Sequence, residues 1–172
     1  MPVHTQPLKG DAPDPGPEHR LRMCELACEQ EPGVSACAME IERGGASYTA
    51  DTLAAIHAEH AGAELTFIVG ADTALTLGSW RTPERVLSLA RLAVASRAGS
   101  PREQVRETVA AIAGRDAAER VAFLQMGEIA VSSSQVRERI AADAGVSELV
   151  PARVAEYIAA NGLYRAPSGQ VA

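Results

Sequence analysis

A chain of 172 residues is long enough to bury one substantial core and short for two. Its net charge of −6 argues against adhesion to nucleic acid or to an anionic membrane surface, so a phosphate-bearing substrate would need locally placed cations. Aromatic residues are scarce at 3%, which points to helices packed closely on a sheet rather than to an aromatic-rich binding platform.

Residues 1–17 carry half of the ten prolines and read as irregular loop. From Glu18 to Gln30 the pattern turns helical, with Leu21, Cys24, Ala27 and Cys28 available for one face. A short strand is predicted within Val34–Arg43, closed by Gly44 and Gly45. Residues 47–62 read as a helix, with Ser47 or Thr49 as its cap, Asp51 in its first turn and Gly62 near its end. The run ELTFIVG, Glu64 to Gly70, is a buried strand, and Ala71–Trp80 follows as a short helical stretch. Residues 82–90 form a helix with Pro83 at its start, and RLAVAS, Arg91 to Ser96, is the next strand. Residues 101–114 make another proline-started helix, followed by a strand over Glu119–Met126 and a short apolar run, Ile129 to Val131. A helix opens at the serine run, and a last one spans residues 151–162. Short apolar strands alternating with helices indicate an α/β fold with a parallel sheet. The expected organisation is one domain over residues 18–165, preceded by the loop and followed by a flexible tail at 166–172.

Ligands of such sheets collect outside the carboxyl ends of the strands. That rule selects Asp72 after the first parallel strand, Arg97 after the second, and Ser132, Ser133, Ser134 and Arg137 after the third, and predicts that they face one cleft. Each has a plain reading as well. Asp72 is either the N-terminal charge of a helix or an acceptor for ribose hydroxyls, and Arg97 is either a solvated charge or a phosphate clamp. Trp80, the lone tryptophan, is either a hydrophobic plug or a flat wall for a heteroaromatic ring. Ser132 with Gln135 three residues on is a capping box; three hydroxyls, a helix start and Arg137 also describe an anion cradle.

His57 and His60 lie three apart with no third ligand evident, and read as a helix surface pair, while His4 and His19 have no obvious carboxylate partner. Three cysteines, Cys24, Cys28 and Cys37, offer no second ligand pair at zinc-like spacing and read as buried free thiols in a reducing cytoplasm. With no run of membrane-span length and no apolar signal core, the expected location is cytoplasmic.

Taken in order, QPLKG, EHRLRMCELA, MEIERGGASYTADTL, FIVGADTALTLGSW, VASRAG, VSSSQVRERI and LVPARVAEYIAANGLY resemble the bacterial nicotinate mononucleotide adenylyltransferases, from about Gln6 to Tyr164. These belong to the nucleotidyltransferase α/β superfamily. The resemblance implies a Rossmann-like sheet with flanking helices and a helical C-terminus. It also implies transfer of AMP from ATP onto the phosphate of nicotinate mononucleotide, with Mg2+ bridging the ATP phosphates. By the family pattern, backbone N–H groups at Tyr48 and Thr49 hold the nicotinate carboxylate and Trp80 stacks on the ring. Gly70 and Asp72 line the adenosine, Ser132, Ser133 and Arg137 hold the ATP phosphates, and Lys9 reaches a phosphate.

The family also has a first strand, a His-x-Gly-His signature that contacts the phosphates and a first helix; these 172 residues contain none of them. The expectation is therefore a shortened sequence of the enzyme, with little or no turnover as it stands. The alternatives are a noncatalytic nucleotide-binding paralogue or remnant, and an adenylyltransferase for nicotinamide mononucleotide.

Overall fold

The computed structural model describes residues 1–5, 14–96, 101–127 and 131–165. The chain divides into two compact units, Tyr48–Ile129 and the pair of segments Met1–Ser47 and Ala130–Ala172.

The first of these units is built on strands β1 (Thr66–Gly70), β2 (Arg91–Ser96) and β3 (Ala122–Gln125), all parallel and in the order β1-β2-β3. β-branched and aromatic residues dominate the inner face, where Val69, Val94 and Phe123 stand in register across the sheet. With Phe67 and Leu92 they enter one apolar core, in which Val94 is 0% exposed. The chain from β1 to β2 passes through helix α4 (Ala71–Leu75), a 3-10 turn (Leu77–Ser79) and helix α5 (Pro83–Leu89). Helix α6 (Arg102–Ala113) and the short α7 (Arg115–Glu119) connect β2 to β3. Helix α3 (Thr49–Glu59) precedes β1 and packs on α5. Val105 and Val109, one turn apart on α6, are fully buried in the same core, as the helical period requires. The predicted α/β fold with a parallel sheet is therefore present; the expected strand Arg91–Ser96 appears as β2 with the same bounds, and those over Glu64–Gly70 and Glu119–Met126 appear as β1 and β3 with trimmed ends.

The second unit is helical. Helices α1 (Pro17–Cys28) and α9 (Ala152–Ala160) pack together, and Arg153 reaches Glu29 at 3.2 Å. Leu26, Ile140, Val146, Val154, Ile158 and Leu163 form its core, with Ile140 supplied by helix α8 (Ser133–Ala141). Arg20 fastens the N-terminal segment to α1, its guanidinium donating to the carbonyls of Val3 and His4 and to Asp14.

Several expectations are corrected. Val34–Arg43 holds no strand; Met39–Arg43 is helix α2. The alternation of Met39 and Ile41 with glutamates resembles a strand, but Met, Glu and Arg are good helix formers, and the turn closes at Gly44 with φ 69°. Neither Ser47 nor Thr49 caps α3: Tyr48 occupies that position, Thr49 is the first helical residue, and the Ser47 hydroxyl accepts the His4 N–H at 3.1 Å. The Ala71–Trp80 stretch is split into α4 and the 3-10 turn, and Pro101 stands just outside α6 rather than within it. The three cysteines are free but half-buried rather than buried. Lys9, Arg97, and the Ile129 and Ala130 of the short apolar run lie outside the described residues. Among the described residues no helix is long and apolar enough to cross a membrane.

Leu77 is 1% exposed, in the turn that leads to Trp80. Leu77→Ala is expected to cost about 3 kcal/mol, read as a lowered urea midpoint at unchanged m-value. A loss below about 1 kcal/mol would show that the turn does not depend on this anchor.

Candidate functional site

Parallel pairing sets Gly70 beside Ala95 and Ser96 beside Gln125, so the carboxyl ends of the three strands share one edge of the sheet. Gly70 ends β1 and is at once the N-cap of α4, with no side-chain cap, and exposed Asp72 sits in the first turn. The Gly70 backbone (φ −69°, ψ 155°) is open to any residue, and a Cβ there would meet nothing within 4 Å. Neither conformation nor packing within the protein demands glycine at this point.

Trp80 follows the 3-10 turn, its backbone N–H bonded to the Leu77 carbonyl at 3.0 Å. Its ring meets Phe67 of β1 edge-on, with centroids 6.0 Å apart. The indole Nε1 donates to Thr76 Oγ1 at 3.1 Å, and that hydroxyl donates onward to the Thr73 carbonyl at 2.8 Å. Two contacts of different kinds thus fix the orientation of a half-buried indole. The plug reading is met: one edge of the ring packs on Phe67 and the core.

Tyr48 and Thr49 open α3 on the neighbouring layer. Tyr48 is extended (φ −112°, ψ 128°) and provides no side-chain cap. Its carbonyl accepts from the N–H groups of Asp51 and Thr52, both at 3.1 Å. The two segments are joined by Arg81, the residue after Trp80. Its guanidinium lies 4.5 Å from the centre of the Tyr48 ring, and one of its nitrogens is 3.5 Å from an Asp51 carboxylate oxygen. Thr82 then adopts the left-handed region (φ 48°) just before Pro83 starts α5. For a β-branched residue this costs about 1–2 kcal/mol, offset by the packing of α5 on α3 and the burial of Val86. The structure therefore brings Arg81 onto Tyr48 and Asp51, with Trp80 and Thr49 next to them in the chain, and sets Gly70 and Asp72 at the strand end from which Trp80's segment departs.

Ser132, Ser133 and Arg137 belong to the helical unit and gather at the start of α8. Ser132 Oγ accepts the N–H of Gln135 at 3.2 Å, the predicted capping contact. Arg137 Nη2 donates to Ser134 Oγ at 3.2 Å, which draws the guanidinium back along its own first turn. Ser133 is exposed. In the same unit the half-buried Tyr164 phenol is pushed above its ordinary value by burial, with Asp14 adding to the shift and Arg137 and Arg20 opposing it.

His57 and His60 are exposed, and His19 Nδ1 is hydrogen-bonded to the Tyr157 hydroxyl at 2.8 Å. No group of three His, Cys, Asp or Glu residues able to hold a metal ion occurs among the described residues. Arg81 was not singled out by the sequence; its only local signal is a guanidinium placed next to the lone tryptophan.

A cytidylyltransferase-like family model matches residues 16–139. A Bordetella parapertussis protein named as a nicotinate-nucleotide adenylyltransferase is 38% identical over 164 residues, 95% of this chain and 78% of its own length. A protein of the same name from a Roseiflexus species is 38% identical over 168 residues, 96% of this chain and 81% of its own. The chain belongs to the nicotinate-nucleotide adenylyltransferases of the cytidylyltransferase-like family. The adenylyltransferase fold is shown independently by a solved structure of the Plasmodium falciparum nicotinic acid mononucleotide adenylyltransferase complexed with NaAD. It superposes with a TM-score of 0.64 at 15% identity, over 86% of this chain and 73% of that one.

Ser132→Ala is expected to lower the stability of this adenylyltransferase by about 1 kcal/mol through loss of the α8 cap, while Ser133→Ala leaves it within about 0.5 kcal/mol. Chemical denaturation followed by far-ultraviolet circular dichroism measures both; equal effects would mean that Ser132 does not act as the cap.

Proposed function

We propose that this chain acts on ATP and nicotinate mononucleotide, transferring AMP to give the deamido dinucleotide and pyrophosphate. An oxygen of the mononucleotide phosphate attacks the α-phosphorus of ATP, and the bond from that phosphorus to the bridging oxygen of the β-phosphate breaks as pyrophosphate leaves. The attacking group comes from the substrate, so the protein's task is to position two anionic ends and stabilise charge.

The observation that carries this reading is the joining of Tyr48 and Thr49 to the Trp80 segment through Arg81, beside the strand end occupied by Gly70. In it the N–H groups at the start of α3 receive the nicotinate carboxylate and Trp80 provides a flat face for the ring. Gly70, whose missing side chain serves no internal purpose, lets adenosine approach the backbone, and Asp72 accepts from its hydroxyls. Ser132, Ser133, Arg137 and Lys9 take the phosphates. Mg2+ would enter with ATP and would help to neutralise the charge on its phosphates. The free thiols of Cys24, Cys28 and Cys37 favour the cytoplasm as the place of reaction.

The 172 residues contain no His-x-Gly-His, so binding is the first readout and turnover the second. Calorimetric titration is expected to give saturable heat with nicotinate mononucleotide and with ATP. Trp80→Ala should weaken the mononucleotide about tenfold, the loss of about 1.4 kcal/mol of ring stacking, and leave ATP binding unchanged. Any pyrophosphate released must require both nucleotides. Absence of saturable heat with both would overturn the reading.

A further inference from the structure

The proposed function leaves open how the mononucleotide site tells an acid from its amide, since the two ligands differ only by a carboxylate in place of a carboxamide. From the position of its charge we infer that Arg81 sets that preference, and the inference rests on the proposed function. Backbone N–H groups alone discriminate weakly, because they bond an amide carbonyl as well as a carboxylate oxygen. A fixed positive charge favours the acid alone.

Three observations place the charge there. The guanidinium lies over the Tyr48 ring, 4.5 Å from its centre, at the residue that precedes the first turn of α3. Arg81 follows Trp80 directly, so the cation and the aromatic face are carried by one short segment between the 3-10 turn and α5. That segment is held at both ends, by the Trp80 Nε1 bond to Thr76 and by the packing of α5 on α3. Its only ion-pair partner among the described residues is Asp51, at 3.5 Å, and the two side chains are 59% and 48% exposed. An exposed pair at that distance is weak and readily exchanged for a ligand carboxylate. Tyr48 keeps the guanidinium in place while the exchange occurs, so Asp51 serves as a stand-in for the ligand's charge.

The test compares nicotinate mononucleotide with nicotinamide mononucleotide by calorimetry on wild type, Arg81→Gln, Arg81→Lys and Asp51→Asn. The wild type should bind the acid more tightly. Arg81→Gln should shrink the acid-to-amide affinity ratio about fivefold, the size that one partly exposed ion pair supports, with amide affinity unchanged. Arg81→Lys should keep most of the ratio, because charge rather than fork geometry carries it, and Asp51→Asn should raise it. An unchanged ratio in Arg81→Gln, or equal loss for both ligands, would overturn the assignment and leave Arg81 as a prop for Tyr48. If the wild type binds neither mononucleotide, the proposed function falls first and this inference with it. If it binds both without preference, only this inference falls.

Discussion

Parallel pairing of three short strands is the constraint from which the candidate site follows. With Val69, Val94 and Phe123 in register, the next residues along each strand reach one edge together, and every segment that leaves the sheet there starts from the same line. Antiparallel pairing of the same strands would send alternate chain exits to opposite edges. The inner face binds this arrangement to the core: Val94 on the central strand is fully buried, and Val105 and Val109 of α6 close over the same cluster. The outer face is less covered, with Ile68 at 61% exposure.

The stretch between β1 and α5 carries most of the residues proposed to bind the mononucleotide and the adenosine. It contains a glycine that nothing inside the protein requires, a tryptophan braced by Phe67 and Thr76, and an arginine laid on Tyr48. Thr82 in the left-handed region is the strained point of this stretch, located where the chain turns from Arg81 into Pro83. Such strain persists only when the surroundings over-determine it. Here the buried Val86 and the contact of α5 with α3 do so. In the helical unit, Ser132 spends its hydroxyl on capping α8, while Arg137 is steered by Ser134 toward the start of the same helix.

Local patterns made much of this legible. TFIV, RLAVA and VAFLQ are apolar runs rich in branched or aromatic residues, and each became a strand. Pro83 announced α5, and the spacing of Ser132 and Gln135 announced the α8 cap. What stayed hidden depended on partners distant in the chain. Ser47 looked like a cap until the His4 N–H, 43 residues away, took its hydroxyl. Met39–Arg43 carries a periodicity that fits either structure over so few residues, and α7 is too short to show a period at all. Arg81 is one of many arginines by sequence; only the meeting of α3 with the segment ahead of α5 sets it apart.

Hydrogen–deuterium exchange with and without each nucleotide tests most directly whether the strand carboxyl ends form the binding edge. Nicotinate mononucleotide should slow exchange in peptides covering Tyr48 to Leu53, and ATP in those covering Gly70 to Thr73. Peptides at the opposite edge, around Leu65 and Arg91, should be unaffected by either. Protection confined to that opposite edge, or absent at both, would contradict the assignment of function to the edge where β1 ends.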